Sequence, residues 1–180
     1  MKNMSRRARI ATGGAVLAAV AAGTLGTVSA NASAPAAAPA ANVKSATTTT
    51  STHLTIDAAN KAAQAALHAA EKENQKVSVA VVDRNGNTIL TLRGDGAGPQ
   101  SYESAEKKAY TAVSWNAPTS ELAKRLESTP NLKDIPGTLF LAGGAPVTAK
   151  NAPIAGIGVA GAPSGDQDEK FAQAGVAALR

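Results

Sequence analysis

Apolar positions after residue 54 follow two different periods. Ile56, Ala59, Ala63, Ala66, Leu67 and Ala70 recur three and four residues apart, one stripe of an amphipathic helix that Thr55 can cap and that runs to about Glu73. The stripe is mostly alanine, so this helix can lie close to whatever it covers. Val77 to Val82 is instead a compact apolar run, and Thr88 to Arg93 returns after Asp83-Arg84-Asn85-Gly86-Asn87. That is a strand, a hairpin turn with glycine where positive φ is needed, and a second strand. Ser101 is placed to cap a second helix reaching Ser114 or Trp115, and a short helix covers Thr119 to Leu126. Glu127 to Gly137 is a polar surface excursion. Leu139-Phe140-Leu141, Ala145 to Ala149 and Ile154 to Val159 read as three further strands between Gly and Pro turns, and Ser164 caps a last helix to Leu179. Runs of strands with segregated helices predict an α+β fold with a mainly antiparallel, five-stranded sheet flanked by helices.

The first 53 residues carry no such pattern. Lys2, Arg6, Arg7 and Arg9 precede an uncharged, Ala-rich stretch from Ile10 to Val28, and small residues follow at Val28-Ser29-Ala30 and Ala30-Asn31-Ala32. This predicts a secretory signal peptide over residues 1–32 and an extracellular protein. Gly13, Gly14, Gly23 and Gly26 leave the stretch too weakly apolar for a retained span. Ser5-Arg6-Arg7 is half of a twin-arginine signal, but Arg9 stands where an apolar residue is expected, so both export routes stay open. Residues 33–53 are rich in Ala, Pro and Thr and cannot bury enough apolar surface to offset their ordering entropy, which predicts a disordered linker. Residues 54–180 then form one ordinary domain.

Composition narrows the chemistry. The chain carries 18 Lys and Arg against 13 Asp and Glu, a net +5. Four of those cations lie in the leader, leaving 14 against 13, or +1, so the basic character gives no support to nucleic-acid binding. The absence of cysteine excludes disulfides, thiolate metal sites, a lipobox, a cysteine nucleophile and covalent c-type haem attachment. No GxSxG or HExxH occurs, and no serine, histidine and acid stand in a recognisable catalytic set. Gly156-x-Gly158-x-x-Gly161 has dinucleotide-fingerprint spacing, but it lies in a predicted strand, is followed by Pro163, and has no acid about 20 residues on. It reads as close packing of a helix or a neighbouring subunit.

The remaining candidates are oxygen ligands. Glu103 and Glu106 stand three apart on one helical face, where their repulsion is relieved by protonation, a neighbouring cation or a bound metal. Carboxylates suit hard cations, including ferric iron. Acids in a first helical turn also simply complement the helix dipole, with Lys107 and Lys108 nearby, and the residues alone favour that explanation. Asp166 and Glu169 repeat the spacing on the last helix, with Asp168 between them and a Ser164/Gln167 capping box beside them. Haem ligands of the usual types reduce to His53, His68, Tyr102 and Tyr110. His53 ends the linker, His68 sits on a polar helix side, and Tyr110 is expected to pack against the sheet. Five aromatic residues are too few to line a globin-like pocket.

Val81-Val82-Asp83, the Gly86 turn, the Gly94-Asp95-Gly96 loop and the Lys108-Ala109-Tyr110-Thr111-Ala112 helix resemble the GlcG/HbpS-like haem-binding family. The resemblance continues through Gly143-Gly144-Ala145-Pro146 and Gly156 to Gly161 into the final helix. It implies a profilin-like sheet flanked by helices and a secreted protein that binds haem and iron. The iron would be held by Glu103 and Glu106 and by Asp166 and Glu169. The haem would sit at a shallow surface site, with Thr138 as the family's threonine near the start of a strand. It further implies compact homo-oligomers up to octamers, and modulation of a membrane sensor kinase in a two-component system under oxidative stress. The wider family also allows a small-molecule module without haem function, or a redox enzyme whose chemistry is supplied by bound haem.

Overall fold

The computed structural model describes residues 40–180. The expected leader and the first part of the linker lie outside them. Residues 40–53 are exposed throughout and hold one short 3-10 turn, Ser45–Thr47. Helix α1 spans Ile56–Lys72 and opens as expected, with the Thr55 hydroxyl accepting from the Ala58 amide at 3.2 Å. Its inward stripe is Ala59, Ala62, Ala63, Ala66 and Ala70, all fully buried, while Ile56 is turned out at 59 % exposure.

Strands β1 (Ser78–Asp83), β2 (Thr88–Arg93), β3 (Gly144–Ala149) and β4 (Ala152–Ala160) form one sheet in the order β2-β1-β4-β3, every pair antiparallel. Alternation along β1 separates two cores. Val79 and Val81 join α1 and helix α4 (Gly165–Ala177), with Ile157 and Phe171 at the centre. Ala80 and Val82 face the other way, toward Ala105, Ala109 and Val113 of helix α2 (Pro99–Trp115). Burying a side chain such as Phe171 contributes about 1.5–3 kcal/mol. The first core therefore carries the larger apolar load, and the second is built for closeness. Ser45–Arg180 form a single compact unit.

The expected fifth strand, Leu139 to Leu141, is absent. The Leu139 amide donates to the Thr111 hydroxyl on α2 at 2.8 Å, and the Leu141 amide folds back on the Leu139 carbonyl at 2.9 Å, so no ladder forms. Phe140 is buried beside Ala117 and Leu122, edge-on to Trp115 at 5.1 Å. The run is apolar because it anchors a loop. The start of α2 also differs from expectation: Gly98 is its cap and Pro99 its first residue, the position where proline's fixed φ and missing N–H cost nothing. Ser101 lies inside the helix, donating to the Gly98 carbonyl at 2.6 Å and sharing a buried bond with Ser78. Helix α3 (Thr119–Lys124) runs into a 3-10 turn to Glu127.

Gly156 and Gly158 fulfil the close-packing expectation. A Cβ at Gly158 would stand 2.0 Å from the Ala105 carbonyl oxygen, and one at Gly156 2.1 Å from that of Ala109. Backbone of α2 rests directly on backbone of β4.

Candidate functional site on helix α2

Helix α2 presents two polar stripes to two different surroundings. Glu103, Glu106 and Tyr110 stand at i, i+3 and i+7 on one stripe, and the last two face the β1–β2 hairpin and the loop before β3. Glu106 and Tyr110 line a cleft of about 170 Å³ together with Thr88, Gly86 and Gly137. Glu106 is half-buried, and its Oε1 accepts from the Thr91 hydroxyl on β2 at 2.9 Å. Glu103, nearly a turn earlier on α2, does not line the cleft; it is exposed and pairs with Lys107 at 2.6 Å. The hydrogen bond and charge of the Lys107 ammonium hold the Glu103 carboxyl below its ordinary range.

Tyr110 packs, as expected, against the cluster formed by Ala80 and Val82 of the sheet with Ala105 and Ala109 of α2. Its ring is wedged between the hairpin and the loop, where a Cβ at Gly86 would lie 2.8 Å from Cε2 and one at Gly137 would lie 3.7 Å from Cε1. Both glycines have positive φ, +86° and +79°. Thr138 follows Gly137 directly. Its hydroxyl donates to the Ile135 carbonyl at 2.7 Å, and the apolar side chains flanking it, Ile135 and Leu141, are 40 % and 53 % exposed. The structure thus gathers Glu106, Tyr110 and the approach to Thr138 at one cleft.

The second stripe is closed. Lys108 is 2 % exposed. Its Nζ donates to the Val159 carbonyl at 3.0 Å and to Asp168 Oδ2 at 2.8 Å, while Asp168 Oδ1 accepts from the Ala162 amide at 3.0 Å. Burial pushes the Asp168 carboxyl up, with Lys108 pulling against it. Glu169 is also turned inward and accepts from the Ser120 amide at 2.9 Å, the Ser120 hydroxyl at 2.5 Å and the Gly143 amide at 3.4 Å. Asp166 remains in solvent. The two members of the Asp166/Glu169 pair therefore sit in different surroundings, because Glu169 is the acceptor that ties α4 to α3 and to the Gly143 turn. A cleft of about 390 Å³ lies over the Lys108–Asp168 pair, lined by Gln100, Ser104 and Ser164 among others.

Of the remaining polar residues, His53, Asp83 and Arg93 serve local structure. His68 is exposed on α1, and His53 bonds the Ser51 hydroxyl at 2.6 Å. Asp83 accepts from the Asn85 and Asn87 amides and from Asn87 Nδ2. Burial alone would raise its pKa, but these bonds and the charge of His53 hold it below the usual value. Arg93 donates to the Ala97 carbonyl. Among the described residues no three His, Cys, Asp or Glu side chains converge on a ready-made metal cage, and no helix is long and apolar enough to cross a membrane. Sequence reasoning missed the roles of Lys108 and Tyr110. The available signal for Lys108 was its helical register with Ala105, three residues before it, and Ala112, four after, on the side of α2 that turns inward.

A helix seated closely on an antiparallel sheet, with a cleft at Glu106 and Tyr110 on its outer side, defines a compact α+β domain. Residues 54–177 match the model of the family described as haem degrading protein HbpS-like, and the chain belongs to that family. The crystal structure of a Streptomyces reticuli HbpS double mutant, in which two glutamates three positions apart are replaced by aspartate, is 73 % identical. It covers 81 % of this chain and 99 % of that one, with a TM-score of 0.79. The crystal structure of a PduOC–haem complex is 28 % identical over 71 % of this chain and 95 % of that one, with a TM-score of 0.65. An uncharacterized 15.0 kDa protein of Citrobacter freundii, from the dhaT-dhaS intergenic region, is 33 % identical over 125 residues, covering 67 % of this chain and 87 % of the relative.

Proposed function

We propose that this chain is an exported haem-binding protein that also holds iron on α2 and so sequesters or senses both. The observation that carries the haem reading is the Thr138 loop. The Thr138 hydroxyl, which donates to the Ile135 carbonyl and so keeps its acceptor capacity, lies three residues from each of two exposed apolar side chains, Ile135 and Leu141, and directly follows Gly137 of the Glu106 cleft. Such a strip suits the apolar face of a macrocycle, and a cleft of about 170 Å³ suits an ion rather than an enclosed porphyrin. Haem would therefore lie on the surface, held by Thr138, Ile135 and Leu141. When bound, it supplies a redox-active iron. The solved haem complex of a related domain supports this reading.

Iron at Glu103 and Glu106 is supported by their geometry and by the paired glutamates altered in the solved relative; Glu103-Ser104-Ala105-Glu106 is the sole Glu-x-x-Glu in this sequence. On α4, Asp166 is the accessible carboxylate, and Glu169 joins it only by releasing Ser120. In this reading the leader exports the protein and copies assemble into a homo-oligomer of up to eight. A membrane sensor kinase then reads the haem or iron state under oxidative stress.

The test is a titration of the purified protein with haemin and, separately, with iron. A saturable Soret change that weakens in Thr138→Ala is expected. A flat titration instead moves the protein to the rival reading, a small-molecule module without haem function. Steady peroxide turnover by the haem-loaded protein would favour the redox-enzyme reading.

A further inference from the structure

We propose that the cleft over the Lys108–Asp168 pair takes the propionates of the haem bound along the Thr138 loop, and so sets which way round the haem lies. The inference rests on the haem reading of that loop. Gly137 lines the cleft on the outer side of α2, and Leu141, four residues on, lines the cleft over Lys108 and Asp168. Residues 137–141 therefore cross α2 from one cleft to the other. The Leu139 amide, which donates to Thr111 on α2 at 2.8 Å, fixes the crossing, and so does Phe140, buried beside Leu122. These residues span at most about 14 Å, comparable with the width of a porphyrin. A macrocycle seated at Thr138 has an edge within reach of each cleft.

Charge decides between them. The outer cleft, of about 170 Å³, holds the Glu106 carboxylate, and the ammonium on its lining, Lys107, is already paired with Glu103 at 2.6 Å. A propionate there would meet a like charge. The inner cleft, of about 390 Å³, has one carboxylate on its lining, Asp168, which Lys108 neutralises at 2.8 Å. That pair has spent its bonds on the fold, but the rim has not. One and two turns before Lys108, the Ser104 hydroxyl and the Gln100 amide line the same cleft, and neither makes a hydrogen bond among the described residues. On the α4 side the Ser164 hydroxyl accepts from the Gln167 amide and keeps its own proton to donate. Carboxylates draw stronger hydrogen bonds from such donors than neutral groups do. Leu141 belongs to both the apolar strip and this cleft, so it stands where the ring ends and the acid arms begin. Ile135 is left to cover the apolar edge of the ring.

The experiment follows the Soret band while the purified protein is titrated with haemin and, separately, with haemin dimethyl ester, whose propionates carry no charge. Haemin should bind more tightly than the ester. In Ser104→Ala with Gln100→Ala, haemin affinity should fall by roughly 10-fold or more, the worth of a hydrogen bond to a charged group. The ester's affinity and the circular dichroism spectrum should not change. Haemin affinity untouched by that double variant overturns the proposal and leaves the Thr138 reading standing; a loss in Lys107→Ala would then place the propionates in the outer cleft. An equal loss for haemin and for the ester overturns it too, because the variant then acts on the ring or the fold. If the unaltered protein gives no saturable Soret change, the haem reading and this one fall together.

Discussion

The two polar stripes of α2 lie on one helix and could hardly differ more. Lys108, on the inner stripe, is buried with its ammonium shared between Asp168 and the Val159 carbonyl. Glu106 and Tyr110, on the outer stripe, are half-buried and keep open oxygens. The inner stripe has spent its bonding capacity on the fold, and the outer stripe has kept it for something else. Charge alone does not mark a site; unspent donors and acceptors at an accessible surface do.

The contrast breaks most visibly at Asp168. Asp168→Asn leaves Lys108 buried without its anion, and should cost about 3–5 kcal/mol in chemical denaturation. Replacing both partners at once, Lys108→Met with Asp168→Leu, should cost less than the single change, because neither charge is then buried. If Asp168→Asn is nearly neutral, the inner stripe is not structural and the comparison fails. Next in size is Gly158→Ala, which forces a methyl against the Ala105 carbonyl and should reach or exceed the top of the ~1–3 kcal/mol typical of overpacking.

A pH series sharpens the same point with a smaller effect. The folded state raises the Asp168 pKa, so between the ordinary carboxylate range and that raised value the folded protein binds more protons than the unfolded one. Stability contributed by this group is therefore present at the acid end of the window and fades as pH rises through it. Lys108→Met should move the fade to higher pH; an unchanged profile would show that the two groups are not coupled. The smallest stability change belongs to the outer stripe. Glu103→Gln with Glu106→Gln should alter stability by only about 0.5 kcal/mol while abolishing iron uptake on α2. Equilibrium dialysis showing unchanged uptake would return these acids to a role at the helix dipole.

Much of the fold was legible because its signals are local. The Thr55 and Ser164 caps, the Gly86 turn and the apolar runs of β1, β3 and β4 are each written within a few residues. Leu139 to Leu141 misled because an apolar triplet looks the same whether it joins a ladder or anchors a loop. What decided it was Thr111, 28 residues away, whose hydroxyl takes the Leu139 amide. The site was legible in part for the same reason. Glu103/Glu106 and Asp166/Glu169 share one spacing, and nothing local says that Glu169 is drawn inward by Ser120 and Gly143 while Glu106 stays at a cleft. Tyr110 was visible only as one of four haem-ligand types, and its place at the cleft was not, because its surroundings come from two distant turns.

The glycines of β4 have one more consequence. Where α2 meets Gly156 and Gly158, main chain touches main chain, with no side-chain layer between them. The height of Glu106 above the sheet is therefore set by covalent geometry, not by how well a core is filled. Substitutions among the alanines of α1 or around Phe171 can loosen the opposite layer without transmitting that slack to the cleft. The cleft side is insulated from drift in the rest of the interior, and can be retuned while the bulk of the domain changes beneath it.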